Sequence, residues 1–203
     1  MNTNLEQLPC VVTIGNFDGV HLGHQALLTE VKKRAHDLKL ESAVITFEPN
    51  PKDYFSQNKP QTRISSLREK IELFNEIKID RVHIIKFNQE FSKVTANEFI
   101  SVLIKQLKVK EIVVGEDFCF GRGREGGIKK LSASSMKLNI KNKILMDGKR
   151  ISSTLIRNLL ANDKLDEANK YIGRPYSISG KVVHGEKRGR KIGFPTANIH
   201  MRH

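Results

Sequence analysis

Four short β-prone runs, at residues 10–14, 42–47, 81–87 and 111–114, alternate with helical patterns, and no other feature constrains the fold of this chain so tightly. Three of them, Cys10-Val11-Val12-Thr13-Ile14, Ser42-Ala43-Val44-Ile45-Thr46-Phe47 and Glu111-Ile112-Val113-Val114, are nearly continuous apolar runs, as expected of strands covered on both faces. Between the first two, Leu22, Ala26, Leu27, Val31, Ala35 and Leu38 recur at helical spacing and predict a helix to about Lys39. Two capping boxes, Ser66-x-x-Glu69 and Thr95-x-x-Glu98, open further helices. The first puts Leu67, Ile71, Phe74 and Ile77 on one face, the second Phe99, Val102, Leu103 and Leu107. This alternation predicts an α/β fold, a doubly wound parallel sheet with its site along the C-terminal strand ends. His83, inside the third run, is expected as a packed or edge residue. Residues 128–143 carry little pattern, 144–146 are expected as a short last strand, and 147–150 as a turn.

The first strand leads directly into Gly15-Asn16-Phe17-Asp18-Gly19-Val20-His21-Leu22-Gly23-His24 and then into the first helix. Three glycines let the backbone approach a ligand closely, and the first N–H groups of the helix have no intrahelical partners, so an anion is expected here. His21 and His24, three residues apart, share a face of the first helical turn, an arrangement that suits a phosphate gaining negative charge. No Gly-Lys-Ser/Thr closes the turn and no G-x-G-x-x-G is present, which separates it from the Walker loop and the dinucleotide fingerprint.

These ten residues resemble the His-x-Gly-His signature of the nucleotidyltransferase superfamily, in the extended form typical of the FAD synthetase module of prokaryotic bifunctional riboflavin kinase/FMN adenylyltransferases. The resemblance implies a Rossmann-like nucleotidyltransferase fold, with ATP and FMN as substrates, Mg2+ as the metal, and FAD and pyrophosphate as products. His21 and His24 would be catalytic, holding the phosphate chain during transfer, with Gly15, Phe17 and Gly23 in the ATP-binding loop. Phe17 and Asp18 are expected to shape the turn rather than react.

Other segments carry the same resemblance. Glu48-Pro49-Asn50-Pro51 ends the second strand on the same rim and is similar to the family's Thr-Phe-x-Pro-His-Pro element, with Asn50 where that family usually has histidine. The glycine-rich loop 115–127 resembles the family's Val-Val-Gly-x-Asp/Asn-Phe-x-Phe-Gly element. That likeness places Asp117 near the triphosphate and its metal, and assigns Asn50, Asp117, Phe118 and Phe120 to the FMN site. In Ile151-Ser152-Ser153-Thr154-Leu155-Ile156-Arg157, spacing alone leaves the hydroxyls open between helix caps and ligand donors. The segment is similar to the family's second nucleotide motif, which implies that Ser152, Ser153 and Thr154 bind ATP phosphates while Arg157 offsets the charge of the leaving pyrophosphate.

A helix carrying Leu165, Ala168, Tyr171 and Ile172 is ended by Gly173, and Pro175 bars its resumption. The chain is therefore divided into an adenylyltransferase domain, 1–173, and a segment, 174–203. In the second, a strand is expected at 176–183, followed by a basic loop. That loop resembles the opening of the riboflavin kinase barrel, with Gly193, Pro195, Thr196 and Asn198 matching its ATP- and magnesium-binding motif. A closed barrel needs more strands than 28 residues after Pro175 supply. The segment is expected to be the incomplete start of a β-barrel, loosely docked, without riboflavin kinase activity and dispensable for FAD synthesis.

The formal charge of +13 fits a nucleotide enzyme or a nucleic-acid binder, but aromatics are 6% and no aromatic-studded basic strip is present, which argues against nucleic acid as a partner. No run of about 18 apolar residues and no basic segment followed by an apolar stretch at the N-terminus is found, so neither a membrane partner nor a signal peptide is expected, and the cytoplasm is. Cys10 and Cys119 are expected as reduced thiols. Two alternatives stay open: a nucleotidyltransferase for another phosphate acceptor, and an inactive or regulatory module that binds RNA. Oligomeric state is not legible.

Overall fold

The structure, a computed structural model, describes residues 7–56, 62–183, 193–194 and 196–200. Its frame is a five-stranded sheet of β1 (Cys10–Ile14), β2 (Glu41–Glu48), β3 (Arg81–Lys86), β4 (Val109–Gly115) and β5 (Lys137–Lys141). The order is β3-β2-β1-β4-β5 and every pairing is parallel. Strand order reverses between β1 and β4, and the crevice beyond the C-terminal ends of such a pair is where doubly wound sheets bind ligands.

Successive residues of the inner strands bury opposite faces. Val12 and Ile14 pack with Ile45, Ile112 and Val114 against Phe99 and Leu103 of α5 (Ala96–Lys105). On the other side Val11 and Val113 meet Val31 and Ala35 of α1 (Leu22–Leu38), while Val44 meets Leu28 of α1 and Phe74 of α3 (Leu67–Glu76). Both faces being covered explains the continuous apolar runs. Both capping boxes are formed, Ser66 with Glu69 and Thr95 with Glu98. β3 is an edge strand, and His83 sits there half-buried, as expected.

Three expectations are corrected. Residues 128–143, weakly patterned in sequence, form α6 (Ile128–Ser132) and the fifth parallel strand, β5. β5 has Lys at both ends and exposed Ile140, because it is an edge strand with one covered side, and edge strands tolerate charge. The short strand expected at 144–146 is present as β6 (Leu145–Met146), but it is not the last strand of the sheet: it pairs antiparallel with β7 (Lys149–Arg150), which takes the place of half of the expected 147–150 turn. On α3, Ile71 is exposed while Lys70 is buried, for a reason that lies in the site.

The remaining elements are α2 (Pro51–Phe55), α4 (Gln89–Ser92), α7 (Ser153–Ala161), α8 (Leu165–Ile172), β8 (Lys181–Val183) and β9 (Asn198–His200). A strand over all of 176–183 is not formed; only 181–183 are paired, antiparallel to β9, in a two-stranded sheet apart from the main one.

Candidate active site

A cleft of about 420 Å³ opens at the C-terminal ends of β1 and β4. Its lining brings together Gly15, Phe17, His21, Gly23 and His24 of the β1–α1 loop, Asn50 before α2, Asp117 and Phe118 after β4, and Ser152, Ser153, Thr154 and Arg157 at the start of α7. Four segments spread over more than half of the chain thus converge on one place.

The β1–α1 loop is held from below. Phe17 and Val20 have positive φ (50° and 38°), and both are buried. The Phe17 ring packs edge-on to Phe74 at 5.4 Å and to His24 at 5.1 Å, so the residue belongs to the core cluster beneath the loop as well as to the cleft lining. The carbonyl of Asn16 accepts hydrogen bonds from Thr46 Oγ1 (3.4 Å) and Lys70 Nζ (3.3 Å). This is why Lys70 is buried: its stem runs with the apolar face of α3 and its ammonium ends under the loop. Burial pulls its pKa down, while Glu48 and Asp18 nearby support its charge.

His21 is the N-cap of α1, and its Nδ1 accepts from the His24 backbone N–H at 3.3 Å. An accepting Nδ1 leaves the proton of a neutral ring on Nε2, making that atom a donor. The two imidazoles stack, 3.7 Å between centroids and 15° between planes. Burial lowers the pKa of His21 to about 4 despite the opposing charge of Asp18. His24 is held well below its ordinary value by burial, then by His21 and Lys70. Both rings are therefore neutral at pH 7. Gly23 suits this packing: a Cβ there would lie 3.2 Å from the His21 ring, which would have to give by a few tenths of an ångström.

Asp18 ties the loop to two other segments. Its Oδ1 accepts from the N–H groups of Ile64 and Ser65, both at 3.0 Å, and its Oδ2 from Arg157 Nη2 at 2.6 Å. Ser153 Oγ donates to the Asp18 carbonyl at 2.9 Å, and Arg157 Nε to that of Thr62 at 2.8 Å. Of the hydroxyls left open by spacing, Ser152 caps α7, accepting from Leu155 N–H, and Ser153 locks α7 onto the loop.

On the opposite wall Asp117 pairs with Arg150 (2.5 Å) and Lys143 (3.4 Å), and Glu116 with Lys143 (2.7 Å). Lys52, Lys141, Lys143 and Arg150 also line the cleft, making its rim basic. These residues were not singled out from the sequence, although Arg150 directly precedes the second motif. Asn50 caps α2, its Oδ1 accepting from Lys52 N–H at 3.0 Å, a task asparagine performs well. Phe118 lines the cleft, whereas Phe120 is buried behind it, stacked at 5.5 Å and packed on Phe99. A row of further rings, Phe99, Phe91, Phe47, Phe87, Tyr54 and Phe55, continues from there to the surface. The order of these aromatics in the chain gives no sign of the row.

Gly193, Thr196 and Asn198 are exposed and form no part of the cleft; Pro195 lies outside the described residues. Among the described residues no group of three or more His, Cys, Asp or Glu side chains is arranged to hold a metal ion. Cys10 is buried, Cys119 exposed, and both are free. No helix of the described residues is long and apolar enough to cross a membrane.

Residues 3–155 match the FAD synthetase family, and residues 172–203 match the riboflavin kinase family. The bifunctional riboflavin kinase/FMN adenylyltransferase of Haemophilus influenzae is 43% identical over 205 residues, which cover 98% of this chain and 67% of that protein. Its Escherichia coli K12 counterpart is 44% identical over 207 residues, 98% of this chain and 66% of that one. A solved structure described as a macrolide-efflux protein from Streptococcus pneumoniae superposes with a TM-score of 0.81 at 32% identity, over 95% of this chain and 64% of that one. The chain thus spans about two thirds of the length of these relatives. With the match running through the signature loop, all five sheet strands and the Ser152–Thr154 hydroxyls, the chain belongs to the FAD synthetase family.

Proposed function

We propose that this chain transfers the adenylyl group of ATP to FMN, giving FAD and pyrophosphate. The observation that carries the reading is the meeting of the His21/His24 turn and the Ser152–Arg157 turn in one cleft at the point where strand order reverses. An FMN phosphate oxygen attacks the α-phosphorus of ATP, and the bond to the β-phosphate bridging oxygen breaks. The protein's part is to align two anions and stabilise the charge that passes to pyrophosphate.

In this reading the helix N-terminus and the neutral imidazoles of His21 and His24 donate hydrogen bonds to the reacting phosphates. Arg157 already satisfies Asp18, so it places a fixed cation beside the outer phosphates and needs no reorganisation when they arrive. Thr154, with no such bond as the cap made by Ser152 or the tie of Ser153 to Asp18 among the described residues, is the hydroxyl best placed to serve the phosphates. Lys143 and Arg150 reach the triphosphate by exchanging Asp117 and Glu116 for it.

Magnesium enters as MgATP. A hard cation takes one or two carboxylates plus phosphate oxygens, and Asp117 and Glu116 are the carboxylates on this rim, so the donor set fits. When bound, the cation withdraws charge from the phosphates. FMN lies on the Phe118 side with Asn50 across the mouth, and Phe120 backs Phe118 from the core. Incubation with FMN and MgATP, with FAD and pyrophosphate identified as products in equal amounts, tests the assignment; turnover with another phosphate acceptor but not FMN would redirect it.

A further inference from the structure

Arg174 is the first residue beyond Gly173, the left-handed cap that ends α8. Its side chain turns back onto the signature loop, Nη2 donating to the Gly19 carbonyl at 2.9 Å and Nη1 to that of Val20 at 3.2 Å. Gln25 Nε2 donates to the same Val20 carbonyl and to that of Ile172, both at 2.9 Å, so the end of α8 and the start of α1 grip one peptide unit together. The fit is tight: a Cβ on Gly173 would lie 2.4 Å from Leu22 Cδ2.

The gripped peptides are the ones that need support. Val20 is β-branched and fully buried at φ +38°, a conformation such a residue keeps only where its surroundings impose it. Its N–H donates to the Phe17 carbonyl and the Gly19 N–H to Ser65 Oγ, so Arg174 completes the set of bonds that fixes residues 19–20. The next residue is His21, on which the position of His24 depends. Arg174 is half-buried, and among the described residues no carboxylate reaches it at ion-pair distance; Glu76 and Glu69 act only from farther away. Among the described residues its guanidinium donates only to backbone carbonyls. The segment that follows is tied down as well, Tyr176 N–H to Asn169 Oδ1 (2.7 Å) and Ser179 N–H to Glu69 Oε1 (2.8 Å).

We propose that Arg174 is a positioning residue for adenylyl transfer: by holding the Gly19 and Val20 carbonyls it fixes the signature loop in the conformation that presents His21 and His24 to the phosphate chain. This rests on the adenylyl-transfer reading. Arg174 lies within the stretch that matches the riboflavin kinase family, so part of that stretch completes the transferase site, contrary to the expectation that FAD synthesis is independent of residues after 173.

The test uses the full chain with Arg174→Ala and Arg174→Lys. For Arg174→Ala, kcat for FAD formation falls about 100-fold, the scale of a displaced reacting geometry, with much smaller changes in KM for ATP and FMN. Added guanidinium, below denaturing concentration, restores part of kcat to Arg174→Ala and none to the parent; Arg174→Lys, able to serve one carbonyl, is intermediate. Without substrates, the imidazole Cε1–H resonances of His21 and His24 move in Arg174→Ala and return with guanidinium. A kcat indistinguishable from the parent overturns the proposal, as does a loss that follows the melted fraction and is not rescued. If Arg174→Ala does not fold, Arg174→Lys decides by the same kinetic split and histidine resonances. A parent chain that makes no FAD defeats the adenylyl reading instead, and the substrate-free histidine comparison still decides whether Arg174 sets the loop.

Discussion

Asp18 and Arg157 stand 139 positions apart in sequence and meet through a 2.6 Å hydrogen bond, their side chains 7% and 13% exposed. One carboxylate thereby orders the two halves of the site, taking the second motif's arginine on Oδ2 and the backbone of residues 64–65 on Oδ1. Removing one partner of a buried pair leaves an uncompensated charge, so Arg157→Ala is expected to cost about 3 kcal/mol of stability. Asp18→Asn added to Arg157→Ala should return part of that loss, because the orphaned charge is gone. Denaturant melts of the two single variants and the double variant check this; simple additivity would mean that the two residues are not energetically coupled.

The same arginine separates two ligands. In the proposed reading it faces the outer phosphates, so it should matter more for ATP than for AMP, and Arg157→Ala is expected to weaken ATP binding selectively. Calorimetric titration with both nucleotides checks it, and equal losses would remove Arg157 from the pyrophosphate end.

His24→Ala is expected to lower kcat for FAD formation by about two to three orders of magnitude, the scale of a lost donor aimed at developing charge, with a smaller effect on FMN binding. Steady-state rates at saturating FMN and MgATP measure it. The Phe17 ring loses its edge contact to His24 in that variant, so a thermal melt should accompany the rates.

Stability should fall with acid in a defined window. The unfolded chain protonates its histidines near 6.5, while folded His21 stays neutral down to about 4. Between those values the unfolded state binds more protons, so stability rises with pH. The contribution is fully present above about 6.5 and is lost as pH falls toward 4. His24, also depressed, adds to the same trend. Melting temperatures across this range should show the slope, and His21→Asn, which keeps an N-cap acceptor, should flatten it. If ATP binds as proposed it brings negative charge to both rings, and their pKa values should climb when MgATP is added, which histidine NMR titration would show.

Riboflavin and MgATP should give no FMN with this 203-residue chain. Gly193, Thr196 and Asn198 are all exposed, and among the described residues β8 and β9 pair only with each other. Phosphoryl transfer needs an acceptor hydroxyl held in a site shielded from water, and an isolated exposed hairpin provides no such shield. Chromatography of the reaction mixture would decide, and clear FMN formation would contradict the inference.

Sequence alone determined the frame. Apolar runs such as Cys10–Ile14 are buried on both faces, and burial on both faces leaves a pattern that survives in one dimension. The capping boxes of α3 and α5 were equally legible, since their partners are three residues apart. The signature turn and the Ser152–Arg157 turn were visible because each is a contiguous string.

What the tertiary structure decided are the relations between distant residues. β5 was invisible because an edge strand with Lys at both ends needs no continuous apolar run. Lys70 was hidden on an apparently polar position because its partner, the Asn16 carbonyl, is 54 residues away. The roles of Asp18, Phe120 and Arg174 are set by what packs against them. A side chain's charge and size are written in the sequence, but whether it faces a ligand, a buried arginine or a strained peptide is settled only when the chain is folded.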